Sequence, residues 1–104
     1  MKLYTGYRTV DGCVVLVDGH PLDPRLDVMS HSPTGFEWGY LGSGPSQLAL
    51  AILLDHFGGK GKQRATELYG TFLHRVVSNF ARRGFAIDSK QIELWIKKIE
   101  DERA

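Results

Sequence analysis

The chain is poor in the residues that catalysis and metal binding most often use. It has one cysteine, Cys13, so no disulfide forms within it and a zinc site would have to come mostly from histidine. The four histidines, at positions 20, 31, 56 and 74, never fall at a ligand spacing such as H-x-x-x-H. Cys13, followed by Val14 and Val15 on an apolar run, reads as inert core and not as a nucleophile. No metal, no cofactor and no catalytic set are therefore expected. Long apolar runs are missing as well. The longest, Leu48–Leu54, is far short of the roughly 20 residues that span a bilayer. The opening MKLYTGYRTVDG lacks the roughly 7–15 apolar residues of a secretory signal. A reducing, cytoplasmic setting without membrane contact is the expectation.

What is there fits one domain over residues 1–104, since two halves of a 104-residue chain would each be too small to bury a useful core. Charge is unevenly placed. Residues 1–59 carry three Lys or Arg against six Asp or Glu, whereas residues 60–104 carry ten against six. That asymmetry is of a kind that guides a partner.

KLYTGYRTV and CVVLV, joined by Asp11-Gly12, read as a β-hairpin because the central positions of a type I′ turn need positive φ. Prolines and glycines punctuate residues 20–43, within which GFEWGY alternates Phe36, Trp38 and Tyr40 against Glu37 and Gly39. That period of two predicts a third strand with an aromatic face. GSGPSQLALAILLDHF then predicts a buried helix over 45–57, with Gly44 as N-cap, Pro45 at N1 and Gln47 reaching back to the cap. Ala65, Leu68, Tyr69, Phe72, Val76 and Phe80 predict an amphipathic helix over 62–82 closed by Gly84 as its C′ residue. FAI adds a brief extended segment, and Asp88 with Gln91 forms a capping box for a helix over 89–102. The fold class is α+β: a hairpin or three-stranded antiparallel meander within residues 2–41, packed on one buried and two amphipathic helices.

Two surfaces are candidates for function. The first is the turn into the first helix, with Glu37, Trp38, Tyr40, Ser43, Gly44 and Gln47. A helix start offers backbone N–H groups and partial positive charge to an anion, and aromatics on a strand face can stack bases. Against this, the turn lacks the Lys-Ser/Thr of a P-loop and Pro45 removes a donor, so a structural entry turn explains it first. The second surface is basic: Lys60, Lys62, Arg64, Arg75, Arg82 and Arg83, grouped at the two ends of the second helix, suited to an acidic protein or to phosphates. Arg82 and Arg83 also answer the helix dipole in an ordinary way.

The strings VDGHPLDPRLD, HSPTGFEWGY, GSGPSQLALAILLDH and ELWI resemble a family of short, uncharacterised bacterial domains that also occur on phages and plasmids. The segment HSPTGFEWGY-x-GSGP-x-QLALA carries most of the likeness, and GGKGKQ departs from it. The resemblance implies no activity. It implies a mobile-element setting, in which small proteins act by binding a host factor, as counter-defence proteins of the anti-CRISPR type do. The leading expectation is thus a small binding module for a host protein or nucleoprotein, with direct nucleic-acid contact as a variant. The alternative is a small-ligand or phosphate-binding protein, with an enzymatic role left open, that uses the Ser43–Gln47 turn together with Glu37.

Overall fold

A computed structural model of the chain describes residues 1–103. It is α+β: a four-stranded antiparallel sheet whose strands lie side by side in the order residues 20–21, 12–17, 3–9 and 84–88, together with three α-helices. Strands β1 (Leu3–Thr9) and β2 (Gly12–Val17) form the expected hairpin. Its two-residue connection is Val10-Asp11, because Thr9 pairs with Gly12. Thr9 Oγ1 accepts from the Asp11 N–H at 3.1 Å and donates to the Gly12 carbonyl at 3.0 Å, which moves the turn one residue ahead of the predicted one. The second connection, Asp18-Gly19, has φ of 50° and 83° and leads into the short β3 (His20–Pro21). Two consecutive positive φ values are what a tight right-twisting hairpin demands.

The covered face of the sheet follows from alternation. Tyr4, Gly6 and Arg8 oppose Val17, Val15 and Cys13 on β2, and the first two oppose Ile87 and Phe85 on β4 (Gly84–Asp88). Gly6 is needed there: an added Cβ would lie 2.1 Å from Phe85 Cε2. The Phe85 ring fills that space, stacked on Phe80 at 4.3 Å and edge-on to Trp38 at 5.0 Å.

Helix α1 (Ser43–Phe57) runs through the centre, with an unbroken buried run from Gln47 to Leu54. It starts before Pro45, and its N-cap is Gly42, not Gly44. Helix α2 (Lys62–Arg75) packs on it, and α3 (Ser89–Arg103) adds a buried stripe of Ile92, Ile96 and Ile99. The capping box forms as expected: the Gln91 N–H donates to Asp88 Oδ1 at 2.8 Å and the Asp88 N–H donates to Gln91 Oε1 at 3.0 Å.

Three expectations are corrected. The α2 pattern continues to Phe80, but the helix ends at Arg75 and a 3₁₀ turn follows at Val77–Asn79. Ser78 Oγ donates to the His74 carbonyl and Asn79 Nδ2 to the Arg75 carbonyl, so side chains take the last carbonyls in place of the next helical turn. Gly84 is consequently not a C′ residue. It opens β4, where an added Cβ would lie 2.7 Å from the Gly6 carbonyl oxygen.

The second correction is the aromatic strand. Residues 35–38 have no strand partner, since β1 has β2 along one edge and β4 along the other. The extended FAI segment took the position that the alternation of GFEWGY suggested for Phe36–Tyr40. Single hydrogen bonds fasten Trp38 and Gly39 to the chain after α2 instead: Trp38 Nε1 donates to the Ala81 and Arg82 carbonyls and the Gly39 N–H donates to the Val77 carbonyl, each at 3.1 Å.

The third concerns Gln47. Its side chain does not return to the helix cap. It is fully buried, its Oε1 accepts from the His31 and Ser32 N–H groups at 2.7 and 3.0 Å, and its Nε2 donates to the Pro24 and Met29 carbonyls at 2.6 and 3.0 Å. All four positions of the amide are thereby used. Gln47→Leu keeps the volume but leaves those backbone groups without their partner. It should lower stability by at least about 4 kcal/mol in urea denaturation, because four backbone groups lose their partner and each orphaned group costs about 1–3 kcal/mol.

Candidate functional site

The turn into α1 borders a polar cleft of about 420 Å³. Arg8, on the covered face at the end of β1, is its centre. Its guanidinium grips Glu37 in a two-pronged contact (Nη1 to Oε2 at 3.0 Å, Nη2 to Oε1 at 2.9 Å), donates through Nε to the Arg82 carbonyl at 2.5 Å, and lies 4.8 Å from the Trp38 ring centroid. Nη1 also approaches Cys13 Sγ at 3.0 Å. Hydrogen bonds from Arg8 hold the Glu37 carboxyl below the usual glutamate range, and burial pushes the Cys13 thiol up. A thiol raised in this way stays protonated at neutral pH and is a poor nucleophile.

The structure gathers Glu37, Tyr40, Ser43 and Gly44 around this cleft and removes two other candidates from it. Trp38 is wholly buried, so it cannot stack a base, and Gln47 is spent on the loop before the helix. Gly44 serves close packing: a Cβ there would lie 2.7 Å from Glu37 Cβ. A phosphate nearing the turn would therefore meet a carboxylate. Sequence reasoning missed Arg8 as a site residue. The signal was partial: period two places Arg8 on the sheet face of Tyr4 and Gly6, at its exposed end.

The basic candidates fall into separate groups. Arg64 pairs with Glu100, through Nε to Oε2 at 2.9 Å and Nη2 to Oε1 at 2.5 Å, and Arg75 pairs with Glu102 at 2.7 Å, so both tie α2 to α3. Lys60 and Lys62 are exposed at the start of α2. Arg82 lies over the Tyr40 ring at 5.9 Å, and Arg83 is exposed just before β4. Along α2, Arg64 and Arg75 are separated by about 16 Å of helix rise. Among the described residues no three His, Cys, Asp or Glu side chains come together to hold a metal, and no helix is long and apolar enough to cross a membrane.

A further surface lies between β4 and α3. Phe80, Ala86, Leu94, Trp95 and Lys98 border a mainly apolar groove of about 380 Å³, and Leu94 is 63% exposed. The groove adjoins a sheet edge whose open groups follow from parity. The Ser89 N–H donates to the Lys2 carbonyl and the Asp18 N–H to the Leu3 carbonyl. Even-numbered residues of β1 thus bond to β4 and odd-numbered ones to β2, because hydrogen-bonded pairs alternate in an antiparallel ladder. Ala86, opposite Thr5, turns its N–H and C=O to the outer edge. The neighbouring outward N–H groups are already used, Gly84's by the Ala81 carbonyl and Asp88's by Gln91.

Residues 4–98 match a family described as "Family of unknown function (DUF6166)". The chain belongs to the DUF6166 family. No curated protein and no solved structure matches it. The DUF6166 match spans Arg8, Glu37, the α1 turn and the groove from Phe80 to Lys98, and brings no activity with it.

Because Arg8 favours ionised Glu37 in the folded chain, that stabilisation is complete above the unfolded glutamate value of about 4.3 and is lost as pH falls through the lower folded value. Glu100, lowered by Arg64, acts in the same sense. Thermal melts between pH 7 and pH 3 should show the midpoint falling below about pH 4.3. Glu37→Gln should lower the midpoint at pH 7 and flatten part of that slope.

Proposed function

We propose that this DUF6166 domain is a binding module whose activity is to hold a protein partner. In the mobile-element setting that the sequence resemblance implies, it is an accessory or counter-defence protein directed at a host protein or nucleoprotein. The observation that carries this reading is the apolar groove between β4 and α3, open beside an unpaired strand edge and bordered by exposed Leu94. Exposed apolar surface next to unused backbone groups costs a protein solubility and is characteristic of interaction sites. The basic residues of α2 give weaker support, since Arg64 and Arg75 are engaged within the chain.

Host lysate passed over the immobilised chain and over its Leu94→Asp variant tests the proposal. A specific protein retained by the first and reduced about tenfold or more on the second is expected, in line with loss of a buried apolar anchor of about 1.5–3 kcal/mol. Identical, partnerless profiles would remove the reading.

A second reading rests on the cleft, where Arg8, Glu37, Tyr40 and Ser43 converge. A small polar ligand exchanging with the Arg8–Glu37 pair would bind there, with the Cys13 thiol alongside. A thermal-shift panel of nucleotides, phosphates and zwitterionic metabolites separates the two readings. A true ligand at 100 times its dissociation constant adds about 2.7 kcal/mol of stability, whereas no shift across the panel leaves the protein-binding reading alone.

A further inference from the structure

Resting on the binding-module reading, we infer that the partner supplies an extended acidic segment that pairs with β4 as a fifth strand and seats an apolar side chain in the groove. Ala86 offers both an N–H and a C=O at the outer edge, the pair of groups that one residue of an antiparallel partner satisfies. Strand alternation does the rest. A residue opposite Ala86 lies on the outer face with it, so the next residue along the partner points to the helix side, between Phe80, Leu94 and Trp95.

Charge selects the occupant. Arg83 precedes β4, Lys90 follows it in the first turn of α3, and Lys98 borders the groove; none of the three makes an ion pair among the described residues. Of the carboxylates nearby, Asp88 caps Gln91 and Glu102 pairs with Arg75, which leaves Asp101, beside Leu94 and Lys98, set against three cations. A second copy of the chain would bring this patch against itself, since a two-fold interface is self-complementary, and would set lysines and Arg83 against their equivalents. A nucleic acid would answer the charge but has no peptide groups for Ala86. An acidic, extended peptide meets both requirements.

The test uses the ¹⁵N-labelled full chain and two capped heptapeptides, one alternating Glu with Val around a central Phe, the other with Lys in place of Glu. The acidic peptide should slow amide exchange at Ala86 by about tenfold at saturation and shift the Trp95 indole signal, while the lysine peptide does neither. Ala86→Pro, tolerated where an edge N–H faces outward, should weaken binding about tenfold through loss of one hydrogen bond. Leu94→Asp should weaken it as well, with circular dichroism confirming that both variants fold. No binding of the acidic peptide, equal binding of both peptides, or Trp95 shifts without protection of Ala86 would overturn the inference. So would Ala86 protection that grows with protein concentration in the absence of peptide, which would assign the edge to a second copy. A partner captured from lysate whose contact leaves Ala86 exchange unchanged would overturn strand addition and leave the binding module standing.

Discussion

The Gln47 side chain, buried in the first turns of α1, fixes the path of the connection that precedes the helix. With no regular backbone ladder over residues 22–42, the connection satisfies only some of its polar groups by itself, as where the Val28 N–H donates to the Arg25 carbonyl. One amide satisfies others at four points, from Pro24 to Ser32. Once that stretch is held, the next one follows: Ser32 Oγ donates to the Gly35 carbonyl at 2.7 Å, and Phe36 to Gly39 is delivered to the end of the sheet, where Trp38 enters the core. Glu37 then meets Arg8. The cleft, the buried indole and the helix start are three results of a single buried polar residue.

A second fastening operates at the other end of that segment. Trp38, Phe80 and Phe85 join the connection, the exit from α2 and β4 into one aromatic cluster, and the carbonyls of Ala81 and Arg82 receive the indole N–H. Beyond the end of α2 the backbone at Ala81 and Arg82 turns both carbonyls toward the indole N–H, which buried without an acceptor would cost about 1–3 kcal/mol. The chain then continues as the strand of residues 84–88, and Phe80 of the cluster borders the apolar groove.

Local physics made a good part of this legible. The hairpin came from β-branched alternation around turn residues, the buried helix from its lack of a polar face, and the last helix from the Asp88–Gln91 box, all of them short-range signals. The aromatic alternation of Phe36, Trp38 and Tyr40 misled because the edge of β1 beside the hairpin is taken by β4, a segment from far along the sequence that no local pattern in residues 35–40 reveals. Gln47 was read as a local cap because sequence gives distances along the chain, while its partners lie 15 to 23 residues away. Glu37, Tyr40, Ser43 and Gly44 border one cleft, and their proximity in sequence is enough to group them. Arg8 escaped notice because its partners are 29 and 74 residues distant. The groove escaped for the same reason, as it exists only where β4 and α3 meet Phe80.

The position of β1 has a consequence for how the chain is made. This strand lies near the beginning of the sequence, yet one of its two edges is closed by residues 84–88, the pairing of Tyr4 with Ile87 spanning most of the molecule. During synthesis the hairpin emerges before residues 84–88 and carries a bare edge, with Tyr4 and Gly6 uncovered, until that segment arrives. Pairings of such separation form late and slowly. At translation speeds of about 5–20 residues per second, the nascent hairpin is exposed for several seconds. Until β4 arrives, the edge of β1 that it will close stands open, so a partly made chain exposes a strand edge that the folded chain covers.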